Sequence, residues 1–206
     1  MLLLVTGASG VGKSTARIHA MRLLDASFEA VELAHLGPIP PVPTVRWRQQ
    51  QAEVAVRRAI ELEKESRHLL LAGDPIAAGE VLAAPSAEQV DVAVCLLDAD
   101  ARSQSARLDA RQDPPEIRHL HHGFADWMRA HAADPSYVPE AVTNDSWESM
   151  VWDRWVGRPP GPEWAMTVVD TSTMAGEEVG STVAEWCRRA VRGEVPVFRA
   201  GWHSPG

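Results

Sequence analysis

Five short runs of mostly apolar residues recur along the chain, separated by longer amphipathic segments. These runs cover residues 1–6, 28–33, 68–72, 90–97 and 165–169. Four of the runs are followed at once by glycine or aspartate, residues that readily end regular structure. Apolar runs of this length are typical of parallel strands that are buried on both faces. The pattern therefore predicts five strands, with the first at the centre of a sheet.

The segments between these runs place apolar residues at helical spacing. Helices are predicted over residues 13–25, 45–66, 77–83, 101–112 and 177–192. A proline-rich loop at residues 37–43 precedes the longest of them, because its prolines are incompatible with helix. Strands and helices in alternation, joined by short links, predict an α/β fold with a doubly wound parallel sheet in one domain that covers residues 1–206.

Two segments depart from this alternation. Residues 113–163, between the fourth and fifth strands, are helical only in pieces and are predicted to form an insertion. It is rich in tryptophan, and we expect these side chains to build a small satellite core: Trp127, Trp147, Trp152, Trp155 and, at its exit, Trp164. The tail, residues 193–206, has no clear periodicity, so we expect it to pack only loosely.

Composition and charge narrow the class of partner. The net charge of −8 without a basic stripe argues against nucleic acid, and no apolar run has the length of a membrane span. The chain begins with a core strand, which is unlike a signal peptide. Cys95 and Cys187 lack metal-binding or C-x-x-C spacing, which favours buried thiols in a cytoplasmic protein. Monomer and homodimer both remain open.

The first apolar run leads directly into the most specific motif of the chain. Residues 7–15 read G-A-S-G-V-G-K-S-T and fit the phosphate-binding P-loop pattern G-x-x-x-x-G-K-[ST], between a predicted strand and a predicted helix. Glycines let the backbone turn its N–H groups inward, and the helix directs its positive end at the phosphates. The residues predicted to bind ATP are Gly7, Ser9, Gly10, Val11, Gly12, Lys13, Ser14 and Thr15.

Two side chains of this loop have predicted roles of their own. Lys13 is expected to reach the β- and γ-phosphates, and Ser14 to ligate Mg²⁺. Of the 20 basic residues, only Lys13 and Lys64 are lysine. A chain that otherwise uses arginine thus has a compact ammonium where phosphate contact calls for one.

Further motifs indicate a family. Residues 97–100 read L-D-A-D, residues 107–111 read R-L-D-A-R, and residues 169–172, at the end of the fifth run, read V-D-T-S. With the P-loop and the order of elements over residues 1–192, these motifs resemble the P-loop small-molecule kinases of the nucleoside monophosphate kinase type, which include gluconate, shikimate and chloramphenicol kinases. The resemblance implies a sheet of order 2-3-1-4-5, ligands at the carboxyl ends of its strands, and a lid at residues 113–163.

Phosphoryl transfer depends mainly on positioning and charge neutralisation, so cations, a metal site and a base are sought. Asp74 ends the third strand, which this topology places beside the P-loop strand, and is predicted to hold Mg²⁺ through water. A turn cap before Pro75 is the alternative. Arg107 and Arg111 fall on one helical face, where they would clamp phosphate oxygens or stack on adenine, or simply face solvent.

Several relatives place an acid just past the second strand as the base for a substrate hydroxyl. Their D-x-D pattern is missing here, and Glu32 with His35 occupies that neighbourhood, so Glu32 is the predicted base. Arg46 and Trp47 begin the long helix, where family members bind the acceptor. An arginine there would bind an anionic group and a tryptophan a ring or apolar surface. A buried tryptophan beside solvated arginines is an equal alternative.

The insertion also contains histidines and arginines with candidate roles. His119, His121 and His122 suggest a metal site, but polar contacts of a lid helix explain them better, since zinc sites need more ligands in a closed geometry. Arg118 or Arg129 would be able to reach the site from that helix.

Two functions follow from these residues. The first is an ATP- and Mg²⁺-dependent kinase that phosphorylates a small hydroxylated acceptor, such as a nucleoside, sugar or antibiotic. The second is a nucleotide-binding module without transfer activity, in which ATP orders a surface for a protein partner. A lid over a P-loop is geometry that transfer needs, which favours the kinase.

Overall fold

A computed structural model describes residues 1–158 and 161–203 of the chain. Five strands form one sheet: β1 (Leu2–Thr6), β2 (Phe28–Val31), β3 (His68–Ala72), β4 (Val92–Asp98) and β5 (Thr167–Asp170). Their pairings are parallel and their order is β2-β3-β1-β4-β5. Every side chain of β1 is buried, because this strand lies between β3 and β4 in the middle of the sheet. The predicted fold class and strand order are confirmed.

Helices connect these strands along the described residues. They are α1 (Lys13–Met21), α2 (Val45–Lys64), α3 (Ala78–Leu82), α4 (Ala101–Ala110), α5 (Arg118–Ala133), α6 (Glu140–Thr143) and α7 (Gly176–Val191). Helix α1 packs against α7, whereas α2 packs against β3 and α3. Gly180 of α7 approaches α1 so closely that a Cβ at this position would overlap the side chain of His19. This contact holds the last turn of α1 against α7, and Gly176 at the start of α7 approaches Thr15 in the first turn of α1 in the same way.

The second strand is shorter than its apolar run. Strand β2 ends at Val31 because a 3₁₀ turn begins at Leu33, and the Leu33 N–H donates to Asp74 Oδ2 at 2.6 Å instead of to a neighbouring strand. Glu32 thus lies at the carboxyl edge of the sheet rather than within a strand. The predicted boundary at residue 33 is corrected by two residues, and this change moves Glu32 to the end where ligands bind in such sheets.

The segment between α4 and β5 contains α5, α6 and 3₁₀ turns. Its tryptophans form core, as predicted, but this core is continuous with the main one rather than a separate satellite. Trp127 stacks on His131 with ring centroids 4.7 Å apart, and Trp155 and Trp164 meet the same imidazole edge-on. Residues 159 and 160 of the predicted insertion lie outside the described residues.

The expectation of a loosely packed tail is wrong for residues 193–203. Phe198 is 1% exposed and packs against Trp164 and Trp202. Its backbone N–H and carbonyl exchange two hydrogen bonds of 2.8 Å with Val92, which places the tail beside the beginning of β4. A single buried aromatic residue such as Phe198, in a segment without regular secondary structure, produces no hydrophobic periodicity. The sequence pattern therefore could not reveal this packing. Residues 204–206 lie outside the described residues.

Cys95 and Cys187 are free and buried, as predicted. Burial raises the pKa of Cys95 to about 12 and also raises the pKa of Cys187. In the described part of the chain, no helix is both long enough and apolar enough to span a membrane.

Candidate active site

The P-loop connects β1 to α1 through three glycines in the left-handed region of φ. Gly7, Gly10 and Gly12 have φ values of 142°, 87° and 100°, which only glycine adopts at little cost. A Cβ on Gly7 would also overlap the carbonyl oxygen of Leu97. Gly12 is the N-cap of α1, so the loop ends where the helix exposes its first N–H groups. The backbone therefore has the geometry that the motif predicts.

A cavity of about 480 Å³ opens beside this loop. Four parts of the chain form its wall: the P-loop with the start of α1, the residue that follows β3, the last turn of α4, and the start of α7 with the segment that leads into it. The lining residues are Gly10, Val11, Gly12, Lys13, Ser14, Thr15, Gly73, Arg107, Ala110, Arg111, Met174, Gly176 and Val179. The structure thus brings together the predicted P-loop and the two predicted arginines on one cavity, at the carboxyl edge of the sheet.

Lys13 is buried at the base of the cavity, and its Nζ donates to the Ala8 carbonyl at 2.7 Å. Burial lowers its pKa to about 7, against the opposing effect of Asp74, while Arg111 lowers the pKa further. Because burial disfavours the charged form of Lys13, an anion that enters the cavity would stabilise the ammonium. The site therefore fits an anionic ligand.

Asp74 and Glu32 follow the ends of β3 and β2, and the charge of each raises the pKa of Lys13. Burial raises the pKa of Asp74, and Glu32 raises it further, whereas the hydrogen bond from Leu33 opposes them. Glu32 Oε1 accepts a hydrogen bond from Arg17 Nη2 at 2.7 Å. Gly73 leaves the space for Glu32, because a Cβ there would come within 2.7 Å of its Oε1. The predicted metal ligand and the predicted base are thus neighbours.

Arg107 braces the P-loop from α4 as well as lining the cavity. Its Nη1 donates to Thr171 Oγ1 at 3.0 Å, and its Nη2 donates to the Thr171 carbonyl. The Thr171 hydroxyl lies 3.0 Å from the carbonyl oxygen of Val11 and 2.8 Å from that of Asp98. Sequence reasoning missed Thr171, although its place directly after the fifth strand, in V-D-T-S, was a usable signal.

Arg111 ends α4 and is about half exposed. Its Nη2 lies 2.5 Å from Asp113 Oδ2. Asp113 is only two residues from Arg111 along the chain, whereas Glu32 is 15 residues from Arg17. Neither ion pair lies within one sequence motif, so the motifs did not reveal them.

No family model matches this chain, and no curated protein matches it in sequence. Among solved structures, it is similar to a sugar kinase from Janibacter sp. HTCC2649, with a TM-score of 0.56 and 12% identity over 91% of this chain and 94% of that one. The tunicamycin resistance protein of Deinococcus radiodurans has a TM-score of 0.54 and 13% identity over 90% and 94% of the two chains.

The APS kinase of Mycobacterium tuberculosis, solved with AMPPNP and APS, has a TM-score of 0.51 and 14% identity over 91% of this chain and 96% of that one. The chain has the fold of the P-loop small-molecule kinases. The resemblance predicted from the P-loop and the R-L-D-A-R motif is therefore confirmed for the fold. Similarity at these identities shows the fold and does not identify a substrate.

Glu32, Asp74 and the remaining predicted acceptor residues are not among the residues that line the cavity. His35 belongs to the 3₁₀ turn after Glu32 and contributes to the electrostatic environment of Asp74. Arg46 forms an exposed ion pair with Glu148. Trp47 Nε1 donates to the Pro38 carbonyl at 3.0 Å, which fixes the indole on the proline-rich loop. Their role in acceptor binding stays a prediction.

The charged residues of α5 make contacts with α4 and β4. Arg118 pairs with Asp109, and Arg129 pairs with Asp126 and, at 2.6 Å, with Asp98. The His122 Nε2 lies 3.1 Å from Ser105 Oγ. Among residues 1–158 and 161–203, no group of three or more His, Cys, Asp or Glu side chains is placed to hold a metal ion.

Proposed function

We propose that this protein is an ATP- and Mg²⁺-dependent phosphotransferase that moves the γ-phosphoryl group to a hydroxyl of a small acceptor. One observation carries the proposal. Buried Lys13 lines a cavity that has arginines on its α4 side, and two carboxylates that follow β2 and β3, Glu32 and Asp74, act electrostatically on Lys13. Cations around the transferred group, with acids next to it, are what phosphoryl transfer requires.

The nucleotide would lie along the cavity. The N–H groups of the P-loop and the first turn of α1 would hold the phosphates, with Lys13 as their buried counter-charge. Arg111 is the less restrained of the two arginines and would add a second cation. The apolar surfaces of Ala110, Met174 and Val179 line the same cavity and suit one face of a base.

Ser14 and Asp74 would hold Mg²⁺. The donor set fits, because a hydroxyl and a carboxylate are the hard oxygen ligands that this ion prefers beside phosphate. When bound, the ion would neutralise charge on the phosphate oxygens. The raised pKa of Asp74 agrees with a carboxylate that lacks a sufficient positive partner.

Glu32 would act as the base for the acceptor hydroxyl. Its ion pair with Arg17 fixes one carboxylate oxygen, Oε1, and leaves Oε2 to accept a proton. The acceptor would lie between Glu32, His35, Arg46 and Trp47. Structures with this fold include proteins named sugar kinase, APS kinase and tunicamycin resistance protein, which supports a small acceptor as the class.

A second candidate is a nucleotide-binding module without transfer activity. The Arg17–Glu32 ion pair favours it, since a neighbouring cation makes a carboxylate a weaker base. In that case ATP would order a surface for a protein partner. Partner-free phosphorylation of a small molecule would exclude this candidate.

The test is a search for a phosphorylated product. Purified protein is incubated with ATP, Mg²⁺ and a metabolite extract, and mass spectrometry identifies the compounds that gain a phosphoryl group. We expect such a product with wild type, and a rate lower by about a hundredfold or more with Lys13→Ala, since a buried charge that stabilises the transition state is worth that much. Circular dichroism shows whether the variant is folded. Absence of any product from folded, ATP-binding wild type contradicts the proposal.

A further inference from the structure

Three ionisable side chains, Arg111, Asp113 and His121, lie close together where α4 leads into α5, at the edge of the cavity. Arg111 Nη2 is 2.5 Å from Asp113 Oδ2, and His121 Nε2 is 3.9 Å from the same oxygen. Arg111 also lines the cavity, and the proposed reaction assigns no role to the other two residues. Asp113 Oδ2 thus lies between two side chains. Arg111 is permanently charged and lines the cavity, whereas His121 is charged only when it is protonated.

His121 is held in this position by contacts between α4, α5 and the P-loop. The buried Gln104 Nε2 donates to the Ser9 carbonyl at 2.8 Å and to the His121 carbonyl at 3.3 Å. The next residue of each helix is also in contact, because Ser105 Oγ lies 3.1 Å from His122 Nε2. The first turn of α5 is therefore fixed beside the P-loop, and the position of the imidazole relative to Asp113 is built into the fold.

Burial and the neighbouring cations together oppose the protonation of His121. Its pKa is lowered chiefly by burial and also by Arg111, His122 and Lys13, whereas Asp113 raises it. The Nε2 atom is buried and makes no hydrogen bond within the described residues. Before an anion enters the cavity, Arg111 is thus the cation that neutralises Asp113, and His121 is neutral at pH 7.

We infer that Asp113 and His121 are positioning residues for Arg111: Asp113 holds the guanidinium until a nucleoside triphosphate takes it, and His121 then replaces it as the cation beside Asp113. This inference rests on the proposed function in that the cavity must bind a nucleotide. A polyphosphate carries more charge than one carboxylate, so it competes for Arg111. Asp113 is then left without its partner, and the phosphates also neutralise Lys13. Both changes favour the imidazolium, whose proton comes from solvent onto a ring nitrogen of His121.

Proton uptake during nucleotide binding tests the role of His121. Calorimetric titration of Mg·ATP, at about pH 6.5 and in two buffers of different ionisation enthalpy, gives the dissociation constant and the number of protons bound. We expect wild type to take up about half a proton more than His121→Asn. His119→Asn is the matched control, because this imidazole is exposed on the same helix turn. It should behave as wild type does.

Loss of the carboxylate tests the role of Asp113. Asp113→Asn frees Arg111 before binding, so we expect Mg·ATP to bind about two- to fivefold more tightly, as the loss of a partly exposed ion pair allows. Its proton uptake should equal that of His121→Asn. Glu116→Gln removes the same charge from an exposed side chain three residues away, which controls for a general electrostatic effect.

The outcomes separate this inference from the proposed function. Failure of wild type to bind Mg·ATP overturns both. If wild type binds Mg·ATP, two results overturn the inference alone. One is proton uptake that is unchanged in His121→Asn, and the other is an equal change in affinity in Asp113→Asn and Glu116→Gln. Reduced uptake in His121→Asn together with a gain confined to Asp113→Asn supports it.

Discussion

Single side chains hold the P-loop in place from outside the motif. Thr171 does so from the end of β5, where its buried hydroxyl lies within 3.0 Å of the Val11 carbonyl and accepts a hydrogen bond from Arg107. Arg107 in turn reaches the Gly10 carbonyl at 3.5 Å. The conformation of the loop therefore depends on β5 and α4 as well as on its own glycines.

Thr171→Val tests this dependence, since it keeps the shape of the side chain and removes the hydroxyl. It leaves buried hydrogen-bonding groups on Arg107 and the loop without a partner, so we expect a loss of about 1–3 kcal/mol in the free energy of unfolding and weaker ATP binding. Chemical denaturation and calorimetric titration measure the two effects. Thr173→Val, at an exposed position, should stay within about 0.5 kcal/mol of wild type. Equal effects of both changes would contradict the assignment.

At this scale, the sequence predicts residues within a motif and misses partners that only the fold supplies. Lys13 was found because its role is tied to a spacing within nine residues. Arg17 was not found as the partner of Glu32, which lies 15 residues away along the chain. Asp113 was not found as the partner of Arg111 either, although it lies only two residues away, because an arginine has several acids within reach and the folded backbone selects one of them.

At the scale of elements, the short helix α3 packs against the aromatic side chains of the insertion between β4 and β5. The Gly79 carbonyl accepts a hydrogen bond from Trp155 Nε1 at 2.9 Å. A Cβ on Gly79 would lie 2.6 Å from Cζ2 of the same indole and 2.8 Å from His131 Nε2. Glycine thus permits a helix and a buried aromatic cluster to come into direct contact.

Gly79→Ala should therefore destabilise the protein, although alanine favours helix more than glycine does. We expect a loss of about 1–3 kcal/mol from overpacking. Gly123→Ala is the matched control, because Gly123 lies in α5 with open space where a Cβ would stand, and it should gain about 0.5–1 kcal/mol. Urea denaturation gives both values. A gain in stability at position 79 would show that α3 and the insert do not pack as described.

His131 should make the stability of the aromatic cluster depend on pH. Burial lowers its pKa from 6.5 to about 4, with Asp134 opposing. Because the unfolded chain binds the proton more readily, stability falls as the pH falls from about 6.5 to 4, by about 3 kcal/mol at 1.4 kcal/mol per pKa unit. Other groups titrate too, so the measured quantity is the difference from His131→Phe. Equal slopes of unfolding free energy against pH in both proteins would contradict the prediction.

Elements were predicted where hydrophobic periodicity is strong. The five apolar runs correspond to β1–β5, and the alternation with helices determined the fold class. The end of β2 was missed because Leu33 is apolar and continues the run, whereas its N–H bonds to Asp74, a residue 41 positions away. Long-range hydrogen bonds of this kind have no signature in local pattern.

At the scale of the whole molecule, the tail is part of the fold. Phe198 is buried against Trp164, and Arg199 pairs with Asp91 at 2.7 Å. The tail therefore connects the beginning of β4 to the aromatic cluster of the insert.

Phe198→Ala should cost about 3–5 kcal/mol, the usual effect of removing a buried phenyl ring. The measurement is guanidinium denaturation, monitored by tryptophan fluorescence and by circular dichroism. We expect both signals to show the same single transition at a lower denaturant midpoint, because the tail packs on the main core. An unchanged midpoint would mean that residues 193–203 contribute nothing to the core.

The central claim is that this cavity delivers a phosphoryl group to a small molecule, and the fate of that group tests it most directly. Purified protein is incubated with Mg²⁺, a metabolite extract and ATP that carries radioactive phosphorus at the γ position. Radioactivity is then measured in three fractions: small organic molecules, inorganic phosphate and protein. We expect it in the small organic fraction with wild type and not with Lys13→Ala. Radioactivity that stays in ATP, or that reaches only inorganic phosphate or protein, would contradict the claim.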